Sequence, residues 1–207
     1  PRVLLVGIRD DIVWKSSSTI AGGRLPEPVG HGPDLLDLLG DLIDPEWAKT
    51  PETNSYPNSP ITKIQKQLRT DRKGNVARKG SPLTEMEYSN HSAEVTKKFN
   101  YMLKHDGLIT REMQTKKFAQ RLLPARWTTK GPAITATSLP DDYVHYSQPR
   151  VLTVREWARL QTFPDWYQFN GKRTTGGRRR AGDLEIGDWT RDLPKYTQIG
   201  NAVPVLL

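Results

Sequence analysis

The chain has 207 residues and carries 31 Lys and Arg against 23 Asp and Glu, a formal charge of +8 at pH 7 with a pI near 9.7. Its length suits one ordinary domain, or a domain carrying pieces of a second, and its positive surplus favours a polyanion, because each phosphate neutralised by Lys or Arg releases condensed counterions. The lack of a long apolar run or basic amphipathic helix argues against a membrane, while 35% hydrophobic residues with 16 Pro and 16 Gly and a mean hydropathy of -0.66 point to loops and short elements rather than one large core.

The opening run Arg2-Val-Leu-Leu-Val-Gly-Ile8 predicts a buried strand followed by a turn, and a strand at the first residue suggests sequence missing upstream. Ser16 to Gly23 and Pro26 to Pro33 read as loop. Asp34-Leu-Leu-Asp-Leu-Leu-Gly-Asp-Leu42 places apolar residues at helical spacing behind Asp34 as N-cap. From Pro45 to about Leu83 periodicity is lost, which predicts a loop-rich region, with most of its positive charge between Lys63 and Lys79. His91 to His105 predicts a helix with Val95, Phe99, Met102 and Leu103 on one face. Ala133-Ile-Thr-Ala-Thr137 reads as a short strand. Thr153 to Gln161 reads as a helix opened by a Thr153/Glu156 capping box and ended at Phe163-Pro164, and Gly171 to Asp188 as a surface loop. There is no internal repeat.

Without cysteine the chain can form no disulfide and offers no thiolate, and it shows no amino-terminal signal pattern, so an intracellular location is expected. His31, His91, His105 and His145 are too scattered to suggest zinc ligands. Arg155 and Glu156 invite comparison with an acid–base pair, but a general acid or base must reach a substrate proton. Here Val154, Trp157, Ala158, Leu160 and Phe163 mark the segment as core-facing. Arg126-Trp-Thr-Thr-Lys-Gly131, followed by Pro132-Ala-Ile-Thr135, sets two cations beside two hydroxyls, groups able to donate to nucleic acid. Trp127 reads there as core rather than a base-stacking ring. Arg178, Arg179 and Arg180 are either a solvated face or a source of phosphate contacts. Lys63, Lys66, Arg69, Arg72, Lys73, Arg78 and Lys79 form a candidate second phosphate-facing loop.

Two segments in order, Arg150-Val-Leu-Thr-Val-Arg-Glu-Trp-Ala-Arg-Leu-Gln-Thr-Phe-Pro-Asp165 and Gln198-Ile-Gly-Asn-Ala-Val-Pro204, resemble the ninth and tenth motifs of DNA (cytosine-5) methyltransferases. The first is long and hard to meet by accident; the second is short but sits where the first predicts it. The opening Pro1-Arg-Val-Leu-Leu-Val-Gly-Ile-Arg9 is similar to the second half of the eighth motif, with Arg2 as that motif's last arginine.

The resemblance implies that Arg2 donates to O2 of a cytosine flipped out of the duplex. Asn201 and Ala202 would approach S-adenosylmethionine, and the Gly200 turn would precede a helix starting at Val203. Arg126 and Lys130 would reach guanine or phosphate, Thr128 and Thr129 base edges or backbone, and Thr135 the sugar-phosphate beside the flipped base. The family's cysteine nucleophile, its Glu-Asn-Val segment and its Phe-x-Gly-x-Gly cofactor loop have no counterpart here.

The fold expected is therefore α+β. A small target-recognition domain with short strands, few helices and long loops would carry a strand and a helix start belonging to a doubly wound S-adenosylmethionine-dependent methyltransferase domain. Residues 1–44 would belong to the catalytic domain, 45–170 to target recognition including the ninth motif, 171–194 to a basic surface loop and 195–207 to the tenth motif. This implies the DNA-recognition portion of a bacterial or phage enzyme, cytoplasmic and associated with the nucleoid. It would bind double-stranded DNA, be inactive alone, and hold S-adenosylmethionine poorly without a missing amino-terminal catalytic domain or subunit. A start in mid-motif and an end inside a closing helix favour truncation over a natural split subunit. A stand-alone sequence-specific DNA-binding module is the alternative; a nuclease lacks any acidic cluster at metal-binding spacing.

Overall fold

The computed structural model describes residues 32–114, 120–127, 142–174 and 193–206. The chain divides into two compact units, Pro1–Pro33 and Asp34–Leu207, and the description that follows concerns the second. The expected opening strand, the Ala133 to Thr137 strand and most of the Gly171 to Asp188 loop lie outside the described residues.

Five α-helices can be followed among the described residues: α1 (Leu35–Leu39), α2 (Lys63–Arg69), α3 (Ala93–Lys104), α4 (Val154–Leu160) and α5 (Lys195–Asn201). Two short strands, β1 (Arg121–Leu122) and β2 (Tyr143–Val144), pair in parallel with Arg121 opposite Tyr143. The mixture of helix and strand agrees with the α+β expectation, and the described sheet has only these two strands.

α1 forms because Leu35, Leu38 and Leu39 share a buried face, and a 3-10 turn, Gly40–Leu42, carries Leu42 into the same core. Asp34 occupies the N-cap position, yet its carboxylate makes no cap hydrogen bond; it is engaged by a distant segment instead. α4 begins as its sequence predicts, with Thr153 accepting from the Glu156 N–H and Glu156 reaching back to the Thr153 N–H. It ends at Thr162, which takes φ 56 one residue before Phe163-Pro164.

α3 matches its expected limits within two residues. Ser92 caps it, and Phe99 and Met102 are buried, each contributing roughly 1.5–3 kcal/mol through apolar burial. With Val144 and Val151 they form a second, small core cluster. The helix stops through Gly107, which takes φ +83 and returns its N–H to the Met102 carbonyl. A Cβ there would meet Leu122 Cβ at 3.1 Å, so a side chain is excluded by conformation and by space.

The 45–83 stretch is loop-rich as expected, and it also holds α2, which opens with a Thr62/Gln65 capping box, and two isolated antiparallel bridges, Glu52–Glu87 and Ser55–Pro82. Two expectations are corrected. The interior is not divided into small patches. One cluster joins α1, α2, α4 and α5 through Leu35, Leu68, Trp157 and Ile199. Mean hydropathy averages over the chain and does not report how its apolar residues are gathered. Finally, the tenth-motif segment is the end of a helix rather than a turn before one. Tyr196 and Ile199 anchor α5 in the core, and Pro204 disfavours helix at Val203.

Candidate nucleic-acid interface and the frame behind it

α4 carries two buried ionic centres. On one side Arg150, fully buried, places all five of its N–H groups: two on Glu156, two on Gln148 and one on the Val151 carbonyl, at 2.7–3.1 Å. Burial alone would raise the Glu156 pKa, but the Arg150 guanidinium and the Thr153 N–H outweigh it and hold it down to about 2. His145 beside it is pushed down to about 3 by burial, and it is therefore neutral. Its Nδ1 accepts from the Ser147 and Gln148 N–H groups, which puts its proton on Nε2, 3.5 Å from Glu156.

On the other side Arg159 binds two carboxylates and a carbonyl. Nε and one terminal nitrogen donate to Asp165 at 3.0 and 2.6 Å, both terminal nitrogens reach Asp41, and one also donates to the Leu38 carbonyl at 2.7 Å. Asp41 is shared with Arg69, whose Nε donates to it at 2.7 Å, and Asp165 also accepts from the Tyr56 hydroxyl at 2.8 Å. Burial opposes the charge on Arg159, but Asp165 and Asp41 prevail and its pKa is raised. Arg155, also buried, is served by the carbonyls of Thr84, Pro164 and Tyr167.

These contacts make Glu156 a structural carboxylate: it is fully buried and paired, as its core-facing context predicts, and a carboxylate so enclosed does not reach a substrate proton. Val154, Trp157 and Ala158 are in the core, with Leu160 and Phe163 packed against it. Among the described residues no group of His, Asp and Glu could hold a metal ion, and no helix is long and apolar enough to cross a membrane.

The frame extends to the candidate recognition segment. Arg159 grips Leu38 and Asp41; α1 in turn fixes the start of that segment, with the Leu36 N–H donating to the Ala125 carbonyl at 3.0 Å. The Trp127 N–H donates to Asp34 at 2.9 Å. Arg126 lies 3.4 Å from Asp34 with 72% of its side chain exposed, and Trp127 packs partly buried against the core. Arg126 is thus exposed and Trp127 half-buried. Thr128, Thr129, Lys130, Thr135, Arg178, Arg179 and Arg180, like Arg2, lie outside the described residues.

Of the candidate second basic loop, Arg69 is removed by its burial against Asp41 and the Tyr56 ring, whereas Lys63, Lys66, Arg72, Lys73, Arg78 and Lys79 remain exposed. At the other end, Asn201 is exposed, while the Ala202 N–H is spent on the Ile199 carbonyl and its carbonyl accepts from Gln161 at 3.4 Å. Sequence reasoning missed the Arg150–Glu156 and Arg159–Asp41–Asp165 pairings, whose partners lie up to 118 residues apart.

The model of the C-5 cytosine-specific DNA methylase family matches residues 1–207. The type II methyltransferase M.DdeI of Desulfomicrobium norvegicum is 27% identical over 223 residues, covering all of this chain and 48% of that enzyme; the chain thus spans about half the length of that relative. M.BsuRI of Bacillus subtilis is 47% identical over 58 residues, 28% of this chain and 11% of its own. M.Eco47II of Escherichia coli is 39% identical over 80 residues, 37% of this chain and 15% of its own.

Proposed function

The chain belongs to the C-5 cytosine-specific DNA methylase family, and from that premise we propose that it is the DNA-recognition portion of a DNA (cytosine-5) methyltransferase. Residues 45–170 serve as target-recognition domain and 195–207 lead back towards a catalytic domain or subunit. The partner is double-stranded DNA containing a target cytosine. The observation that carries this reading is the strut from the ninth-motif helix, through Arg159 and α1, to the root of the Arg126–Lys130 segment. Such a strut holds an exposed cation in place before DNA arrives, so less ordering cost falls on binding.

In this role Arg126 and Lys130 donate to guanine edges or phosphates, Thr128 and Thr129 to base edges or backbone, and Thr135 to the sugar-phosphate beside the flipped cytosine. Arg2 donates to the O2 of that base, and Arg178, Arg179 and Arg180 add phosphate contacts. The family's chemistry requires a thiolate that this cysteine-free chain does not supply, so its work is positional. S-adenosylmethionine supplies the methyl group in the complete enzyme. One exposed amide, Asn201, beside a spent backbone at Ala202 does not make a site for it, and the rest must come from the catalytic domain.

The test is selection from random duplexes by the purified chain at two salt concentrations. Enrichment of a short cytosine-containing site, lost in Arg126→Ala and in Lys130→Ala with unchanged melting, is the expected result. Salt-sensitive binding without any preferred sequence would sink the assignment.

A further inference from the structure

Beyond the ninth-motif helix the chain turns at Asp165, and the two residues that follow, Trp166 and Tyr167, are large rings left 39% and 38% exposed. They form the floor of an open cleft of about 710 Å³ whose wall is the turn 71–75. Both sides are fixed. Asp165 is held by Arg159 and Tyr56, and its N–H donates to the Leu68 carbonyl at the end of α2. The Tyr167 carbonyl accepts from Arg155. The turn is closed by the Thr70–Val76 bridge and by Asp71, which accepts from the Lys73 and Asn75 N–H groups and the Asn75 amide.

The charges of this cleft are unequal in availability. Both Asp71 oxygens are turned into its own loop, and the Asn75 N–H leads the contacts that hold its carboxyl below the usual range. Arg72 lies over the Trp166 ring, its guanidinium carbon 4.3 Å from the centroid. A guanidinium lying over a ring covers the face that a base would need and keeps its N–H donors for another partner. Lys73 is exposed. That combination suits a phosphate oxygen pair rather than a nucleobase.

We propose that the Arg72–Lys73–Trp166 cleft is a second DNA contact that grips the sugar-phosphate backbone of the duplex. It rests on the DNA-binding reading above, but differs from it in carrying no sequence information. Arg72 supplies a pre-oriented planar donor, Lys73 a mobile charge, and Trp166 the platform that limits the rotamers of Arg72.

The experiment titrates the full chain with duplex DNA of arbitrary sequence at two salt concentrations, comparing wild type with Arg72→Gln/Lys73→Gln. Both residues are exposed on a turn, and thermal melting verifies that the double variant stays folded. Loss of about tenfold in affinity near 0.1 M salt, with the slope of log affinity against log salt shallower by about 2, is expected for two phosphate contacts. Trp166→Phe, which keeps a ring but weakens the cation–π platform, should give a smaller loss in the same direction. Equal affinity and slope in the double variant would overturn the proposal, as would a wild-type chain that binds no duplex. If the arbitrary duplex is bound through Arg72 and Lys73 while selection yields no preferred site, the backbone contact stands and the recognition assignment falls.

Discussion

Arg159 and Arg126 carry the same guanidinium and have opposite fates. The first is buried with all five donors satisfied by two carboxylates and a carbonyl; the second stands 72% exposed beside one carboxylate at 3.4 Å. A buried arginine cannot give up its partners without leaving charge uncompensated in a low-dielectric interior. An exposed one loses little when it changes partner, because surface pairs contribute ~0–1 kcal/mol. The molecule therefore separates arginines that hold it together from arginines available to a ligand, and the two sets touch through α1.

The contrast breaks most visibly at Arg159. Arg159→Met should cost about 3–5 kcal/mol, read as a lowered denaturant midpoint, since Asp165 and Asp41 lose a shared counter-charge. Phe99→Ala, in the smaller core cluster, should cost about 3–5 kcal/mol through the cavity it leaves. A loss of less than about 1 kcal/mol in Arg159→Met, the range of an exposed pair, would mean that the ionic centre does not hold the frame. Acid provides a graded version. His145 is held down to about 3, below its unfolded value near 6.5, so its contribution is complete above about pH 6.5 and is lost as pH falls towards 3. Glu156, held down to about 2, adds a second loss below about pH 4.5. Each has a limiting slope of about 1.4 kcal/mol per pH unit, and His145→Gln should remove the loss between about pH 6.5 and 4.5. A flat stability profile over that range in wild type would contradict the buried neutral imidazole.

Smaller effects sharpen the same comparison. Thr153→Ala removes the α4 cap and should cost about 1 kcal/mol in stability. Arg126→Ala should change stability by less than about 0.5 kcal/mol while removing ~1–3 kcal/mol of base discrimination, measured as relative affinity for target and mismatched duplexes. A variant that loses stability and discrimination together would place Arg126 in the frame rather than at its surface.

Local order was legible where a local rule governs it. Thr153 and Glu156 sit three residues apart and cap α4, and the Val95–Phe99–Met102 stripe sets α3. The Thr62/Gln65 box was equally readable, but Lys63, Lys66 and Arg69 surround it with charge, and α2 is too short for its apolar stripe to show as periodicity. Gly200 and Asn201 resemble turn formers because glycine is a poor helix residue, and burial of Tyr196 and Ile199 overrides that preference. The ionic frame was out of reach for another reason: Asp41 meets Arg69 and Arg159 across 28 and 118 residues, and only tertiary folding selects those partners. In the candidate interface, Arg126 was legible as an exposed cation, whereas its anchoring through Asp34 was not, because Asp34 has the local appearance of a helix cap.

Asp34 is where frame and interface meet, and replacing it tests the account most directly. Duplex selection with Asp34→Ala beside wild type, at matched salt, measures enrichment of the preferred site and the salt slope together. The account expects enrichment to fall by about tenfold, comparable to one lost base contact, with the salt slope and the folded core retained, because the Trp127 N–H loses its anchor but no phosphate-binding cation is removed. Undiminished enrichment in Asp34→Ala, or a wild-type chain with no preferred site, would contradict it.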